Sequence, residues 1–396
     1  MVELSEKERA FIEKNRGYEI RKLALQMDNG RMERPSFVLD QIAGWQTAVE
    51  KLPSWAACPD VLYPAHLSME QCSSEATAAY KAQLISSTGD MNSLVDLTAG
   101  FGVDFTIIAR LFKESTFVER QKELSGIVSH NLPLLGIKNA KAIHGDGMEY
   151  LENMNPVDWV FIDPARRNEH GGKCVAISDC EPDITRWASV LRMKSKHTLV
   201  KLSPMLDISM AIKELDGISQ VHVVSVDNEC KELLLVVDGT KKEPVLSTVN
   251  LIGKESQIFQ FTQSSEADSP CRFCDELSEY LYEPNASLLK AGAFRSLSSH
   301  FHIEKLHPNS HLYTSSVLNK DFPGRIFHIE SFCHFGKKEM KAGLSGIEKA
   351  NIAIRNFPLS VQEIRKRTKI SDGGEWYLFA TTLKQEEKVL IKCKKA

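Results

Sequence analysis

Apolar positions recur at intervals of three and four over residues 6–25, 41–51 and 74–84, the spacing of amphipathic helices, and Pro53, Pro59 and Pro64 interrupt the pattern between them. The opening segment is therefore predicted to be helical and without strands. From Ser93 the pattern changes to short apolar runs at 94–97, 116–119, 142–143, 159–163, 198–202, 221–226 and 233–237, separated by helical stretches. Runs apolar on both faces with helices between them predict a parallel sheet covered on each side. Only Asp227-Asn228-Glu229-Cys230 separates the last of these runs from its predecessor, too little chain for a parallel crossover, so they should form an antiparallel pair. The expectation is a seven-stranded mixed sheet with one strand reversed. Beyond it, Lys241-Lys242-Glu243-Pro244 reads as a linker, followed by a strand-rich piece up to Phe261, a polar loop at 264–270 and a helix at 287–294. The tail combines strands at 352–357, 376–381 and 389–393 with a helix at 360–369, opened by a serine cap and stopped before Asp372-Gly373-Gly374. The predicted domains are 1–90 (helical), 91–239 (α/β), 240–330 (small α+β) and 331–396 (basic).

Composition changes this picture in a few respects. At 396 residues the chain exceeds a usual single domain, and 42% hydrophobic with 26% charged residues excludes a largely disordered polymer. The net charge of −3 conceals an asymmetry: from Ser331 onward 14 Lys and Arg face 7 Asp and Glu, so the body before it carries −10. A basic tail on an acidic body suits a polyanion-binding appendage, and equally a solvated charged surface. The first residues are charged and no apolar run reaches bilayer length, so a cytoplasmic address with no membrane partner is expected. The nine cysteines, scattered and odd in number, are expected to be free thiols. Cys271-Arg272-Phe273-Cys274 with His300, His302, His307 and His311 lacks the second cysteine pair and the histidine interval of a zinc site, so no metal is expected. Phe101, Trp159 and Phe301 could stack on a base, but local context favours core packing for Phe101 and Trp159.

The candidate chemistry lies at the strand ends. Asp96-Leu97-Thr98-Ala99-Gly100-Phe101-Gly102-Val103-Asp104 falls where the first strand gives way to a helix. Gly100 and Gly102 let the backbone approach a ligand closely, with Thr98 inside the same loop. Asp96 suits an ammonium, and Asp104 could contact the same end of a ligand. Glu119 ends the second strand, where a carboxylate can take both hydroxyls of a ribose, and Asp146 ends the third, where it can accept from an adenine amino group. Carboxylates at successive strand tips imply S-adenosylmethionine. A dinucleotide would prefer a third glycine for its pyrophosphate, and Phe105 stands there instead.

Asp163-Pro164-Ala165-Arg166-Arg167 follows the fourth strand, beside the expected methyl group. Asp163, backed by Pro164, can hold an amino group in line for transfer; the plainer reading is a helix cap. Arg166 and Arg167 could bind a substrate phosphate or pair with acidic neighbours. The helix at 360–369 presents Arg365, Lys366 and Arg367 as further candidates for a polyanion.

Asp163 to Arg166 resembles the Asp-Pro-Pro-aromatic motif of amino-group N-methyltransferases, and Asp96 to Asp104 is similar to the loop of a bacterial 16S rRNA guanine-N2 methyltransferase. Alanine and arginine replace the second proline and the aromatic that would stack on a flipped base. Asp-Pro-x-Arg also resembles uridine C5 methyltransferases, but Lys201-Leu202-Ser203-Pro204 offers serine where those need a cysteine. The whole chain most resembles the bacterial class I methyltransferases with a THUMP-like carboxyl-terminal domain. The resemblance runs through Glu70-Gln71-Cys72-Ser73-Ser74-Glu75, the loop, Asp163 to Arg166, Tyr280-Leu281-Tyr282-Glu283-Pro284, Leu289-Lys290-Ala291-Gly292, Ala350-Asn351-Ile352 and Trp376-Tyr377-Leu378-Phe379-Ala380. It implies a Rossmann-like α/β fold, a ferredoxin-like insert, an S-adenosylmethionine cofactor and an RNA partner. A small-molecule methyltransferase and a non-catalytic RNA-binding protein are the alternatives.

Overall fold

The structure is a computed structural model and describes residues 4–26, 33–166 and 176–396. It divides into two compact units, Met1–Ser219 with Leu233–Lys242, and Gln220–Glu232 with Glu243–Ala396.

The first unit opens with α1 (Glu6–Asn15), α2 (Ile20–Gln26) and α3 (Pro35–Lys51). Ser5 and Glu8 form a capping box on α1, and the Glu8 carboxylate also receives Arg34 at 3.0 and 2.7 Å. The continuous helix predicted at 6–25 is broken after Asn15, whose side-chain amide donates to the Phe11 carbonyl, two residues ahead of Gly17. Residues Ile12, Leu23, Val38 and Ile42 close one apolar cluster under these helices. A proline at its first turn starts α3 earlier than the predicted residue 41. After α4 (Glu75–Ser86), capped by Ser74, the sheet begins.

Its strands are β1 (Ser93–Asp96), β2 (Glu114–Glu119), β3 (Ala140–His144), β4 (Val157–Ile162), β5 (Ser195–Leu202), β6 (Ile218–Val226), β7 (Glu229–Val237), β8 (Val245–Ile252) and β9 (Glu255–Phe261). Between them run α5 (Val103–Ile108), α6 (Lys122–Leu134), α7 (Gly147–Asn153), α8 (Ile184–Lys194) and α9 (Ile208–Glu214). The order is β9-β8-β6-β7-β5-β4-β1-β2-β3. Strands β1 to β5 are parallel and β7 is antiparallel to β5. The reversal is made by Asp227 and Asn228, at φ 48° and 67°, a two-residue left-handed turn that matches strand twist. The predicted count of seven is corrected to nine: β8 pairs in parallel with β6 and carries β9 antiparallel beside it. The strand-rich piece was visible in the sequence, but alternation within a strand does not say which edge it joins.

The second unit, whose residue range also takes in β8, β9 and most of β6, builds a seven-stranded sheet from β10 (Tyr280–Pro284), β11 (Glu304–Lys305), β12 (Tyr313–Ser315), β13 (Gly324–His334), β14 (Asn351–Arg355), β15 (Tyr377–Thr382) and β16 (Lys388–Lys395), in the order β11-β12-β10-β13-β16-β15-β14. Phe327, Phe379, Ile391 and Cys393 belong to one of its apolar clusters, and Leu378, Ala380 and Leu390 to another. The helix predicted at 287–294 is instead two, α10 (Ala286–Ala291) and α11 (Arg295–Phe301), separated at Gly292 with φ 79°. The polar loop predicted at 264–270 is instead largely a helix, Gln263–Asp268, capped by Thr262, and α12 (Lys337–Gly343) and α13 (Val361–Thr368) follow later in the unit; Ser360 caps α13 with Glu363, as its sequence suggests. The described cysteines are free, and no described helix is long and apolar enough to cross a membrane.

Candidate active site

The candidate site lies wholly within the first unit. At the end of β1 the Leu97 N–H still donates to the Phe161 carbonyl, after which the chain leaves the sheet. Asp96 is buried, and its Oδ1 accepts from the Thr98 N–H at 3.1 Å. Its Oδ2 is buried without a hydrogen-bond partner. Burial pushes the Asp96 carboxyl well above the usual carboxylate range; the Thr98 N–H opposes this, and the nearby Asp104 and Asp163 carboxylates add to it. A buried carboxylate oxygen with no donor of its own can accept from a cation.

The loop then turns through Gly100 and Gly102, at φ 54° and 76°, where L side chains are strained. The Gly100 N–H donates to Glu119 Oε2 at 2.9 Å, and the Gln121 N–H to Glu119 Oε1 at 2.7 Å, so the β2 tip is fastened to the glycine loop. Asp146, exposed at the β3 tip, caps α7 by accepting from Met148 and Glu149 at 2.8 and 3.1 Å. A Cβ on the next residue, Gly147, would lie 2.0 Å from the Leu97 carbonyl oxygen, so this loop and the β1 tip touch backbone to backbone. Phe101 is core, its ring 4.8 Å from Trp55 and 6.4 Å from Tyr63, and Trp159 is buried beside His197.

Asp163 stands just past β4, where its N–H donates to the Thr98 hydroxyl at 2.6 Å, and Pro164 behind it is buried. Its Oδ2 receives the Lys201 ammonium from β5 at 2.5 Å. The same ammonium reaches Asp104 Oδ2 at 3.4 Å. Asp104, buried in the first turn of α5, also takes the Ser73 hydroxyl at 2.7 Å and the fully buried Lys81 at 3.1 Å. Burial alone would raise the Asp104 carboxyl, but the two ammoniums and the Ser73 hydroxyl hold it below the ordinary value. Lysines 81 and 201 carry no motif that pointed here. The one available signal was Lys81 at helical spacing among Thr77, Ala78, Leu84 and Ile85, all buried.

The backbone of Ala165 and Arg166 pairs antiparallel with Cys180 and Glu181, and Arg167 lies outside the described residues. Arg365, Lys366 and Arg367 belong to the other unit. The Arg365 guanidinium donates to the Ile370 and Ala350 carbonyls and pairs with Asp372, so it serves its own fold. Lys366 and Arg367 are exposed, the latter 5.5 Å over the Phe335 ring.

Residues 81–179 match a family described as conserved hypothetical protein 95, residues 280–323 a ferredoxin-like domain, and residues 324–395 a THUMP-like domain. Among solved structures the chain is similar to a provisionally assigned methyltransferase from Porphyromonas gingivalis W83, at 34% identity over 100% of both chains with a TM-score of 0.89. It is also similar to a provisionally assigned RNA methyltransferase from Pyrococcus horikoshii (22% identity, 32% of this chain and 60% of that one, TM-score 0.26) and to one assigned as a methyltransferase from Escherichia coli (16%, 42% and 87%, 0.31). At that level neither bears on what this chain acts on. No curated protein matches.

Proposed function

Because this chain belongs to the methyltransferase family that carries a THUMP-like carboxyl-terminal domain, we propose that it moves a methyl group from S-adenosylmethionine to a base nitrogen of RNA. The observation that carries the cofactor reading is the unpartnered buried oxygen of Asp96 among carboxylates at successive strand tips. The residues fit the group. Asp96 would face its ammonium, with Asp104 behind it, Gly100, Gly102 and Thr98 would line the amino-acid end, Glu119 would take the ribose and Asp146 the adenine. Bound there, the cofactor supplies an electrophilic methyl on a sulfonium.

The chain's own contribution at the reacting end is orientation. Asp163 accepts an N–H of the target, so that the nitrogen lone pair points along the line of transfer. The Thr98 hydroxyl accepts from the Asp163 backbone N–H and so fixes the main chain there, while Lys201 holds the carboxylate itself, which limits the freedom a lone carboxylate would have. Arg166 and Arg167 would hold a phosphate of the target, and Lys366 and Arg367 would hold RNA where the tail is basic. Asp163→Ala should leave calorimetric binding of S-adenosylmethionine intact and abolish methyl transfer to total RNA from cells that lack the protein. Nucleoside mass spectrometry of such cells should show one methylated base missing. An unchanged nucleoside profile would turn the substrate toward a small molecule.

A further inference from the structure

The cofactor reading, on which this inference rests, leaves a question of charge at Asp96. That residue is 1% exposed, with a single N–H on one oxygen and nothing on the other. Among the described residues the charged groups that act on it most are Asp104 from α5, Asp163 from the β4 tip and Lys201 from β5. Lys201 is shared between Asp163 and Asp104, and Lys81 from α4 is bound to Asp104. Among the described residues three carboxylates thus meet two ammoniums, and the one without an ammonium within reach, Asp96, is the most deeply buried. An ionised carboxylate so placed, with one hydrogen bond, has lost its hydration without a counter-charge to replace it and is strongly disfavoured. A proton on Asp96 relieves the imbalance in the empty site, and a ligand ammonium relieves it in the filled one.

We propose that Asp96 selects ligands bearing an amino-acid end by proton exchange: it keeps a proton while the site is empty and releases it when an ammonium arrives. The step balances. The O–H bond of the carboxyl breaks, its electron pair stays on the oxygen, the proton goes to the buffer, and the ligand ammonium keeps all its protons. The direction agrees with the raised carboxyl, since a group that holds its proton more tightly when empty must lose it to the incoming cation.

The test is calorimetry on the full chain at neutral pH, in two buffers of different ionisation enthalpy, with S-adenosylmethionine, S-adenosylhomocysteine and 5′-methylthioadenosine. The last keeps the adenosine and thioether but has no ammonium. The first two should each release protons, up to one per ligand bound, and their association constants should rise up to about tenfold per pH unit on the acidic side. Methylthioadenosine should release none and bind independently of pH. Asp96→Asn should abolish the buffer dependence and leave methylthioadenosine affinity within about threefold. Buffer-independent heats for S-adenosylmethionine, or equal proton release by methylthioadenosine, would overturn the inference alone. No heat from any of the three with folded protein would overturn the cofactor reading and this inference with it. The wild-type titrations decide the matter whether or not the asparagine variant folds.

Discussion

Lys201 shows how a residue can be central to a site and carry no sequence signature. It lies in Lys201-Leu202-Ser203-Pro204, a stretch that as sequence speaks only to the absence of a cysteine, yet its ammonium bridges Asp163 and Asp104, which are distant in sequence. If that bridge orients Asp163, Lys201→Met should lower single-turnover methyl transfer about 100-fold while cofactor affinity stays within about threefold, and Lys201→Arg should recover part of the loss. Equal losses in rate and affinity would place Lys201 in cofactor binding instead. A second residue makes a pH prediction. Burial would raise the Asp158 carboxyl, but the Lys196 ammonium and the backbone and side-chain amides of Asn92 outweigh it and hold it at about 2. A carboxyl lower in the folded than in the unfolded chain stabilises above the unfolded value, about 4, and that contribution is lost as pH falls through about 2. Asp158→Asn should therefore lower Tm at neutral pH and flatten its dependence across that acidic window.

At the scale of elements, the strands were legible because a buried parallel strand is a continuous apolar run, as in β4, whose last five residues are all buried. The hairpin of β6 and β7 was legible too, because its short connection leaves no room for a crossover. Contacts between loops were not. Gly147 reads in sequence as an ordinary turn residue after Asp146, whereas in the fold it presses on the Leu97 carbonyl with no room for a methyl group. Its backbone is not in the left-handed region, so the contact alone should decide the effect of Gly147→Ala. Forcing α7 away from the β1 tip should cost about 1–3 kcal/mol in urea unfolding and weaken S-adenosylmethionine binding about tenfold. Gly145→Ala, with nothing within 4 Å of its new carbon, should do neither.

For the molecule as a whole, the surplus of basic residues after Ser331 gives the second unit its proposed role, and the structure separates those residues by use. Arg365 is committed to carbonyls and Asp372, whereas Lys366 and Arg367 are exposed on the same helix. Replacing Lys366 and Arg367 together by alanine should weaken RNA binding across sequences and reduce the slope of log affinity against log salt by about two, with Tm unchanged. Arg365→Ala should chiefly lower Tm. A salt slope identical to wild type in the double variant would move the RNA surface elsewhere.

The sequence by itself determined the order and kind of the elements from Ser93 to Val237, the strand reversal and the acidic residues at three strand tips, because these depend on periodicity, turn length and positions counted from a strand end. Only the tertiary structure decided that β8 and β9 extend the sheet, that Lys81 and Lys201 converge on Asp104, and that Asp96 is left with an unmatched buried oxygen. Edge pairing and charge pairing are set by which distant segments meet, and burial sets how strongly their charges are felt. None of the three is a property of neighbours along the chain.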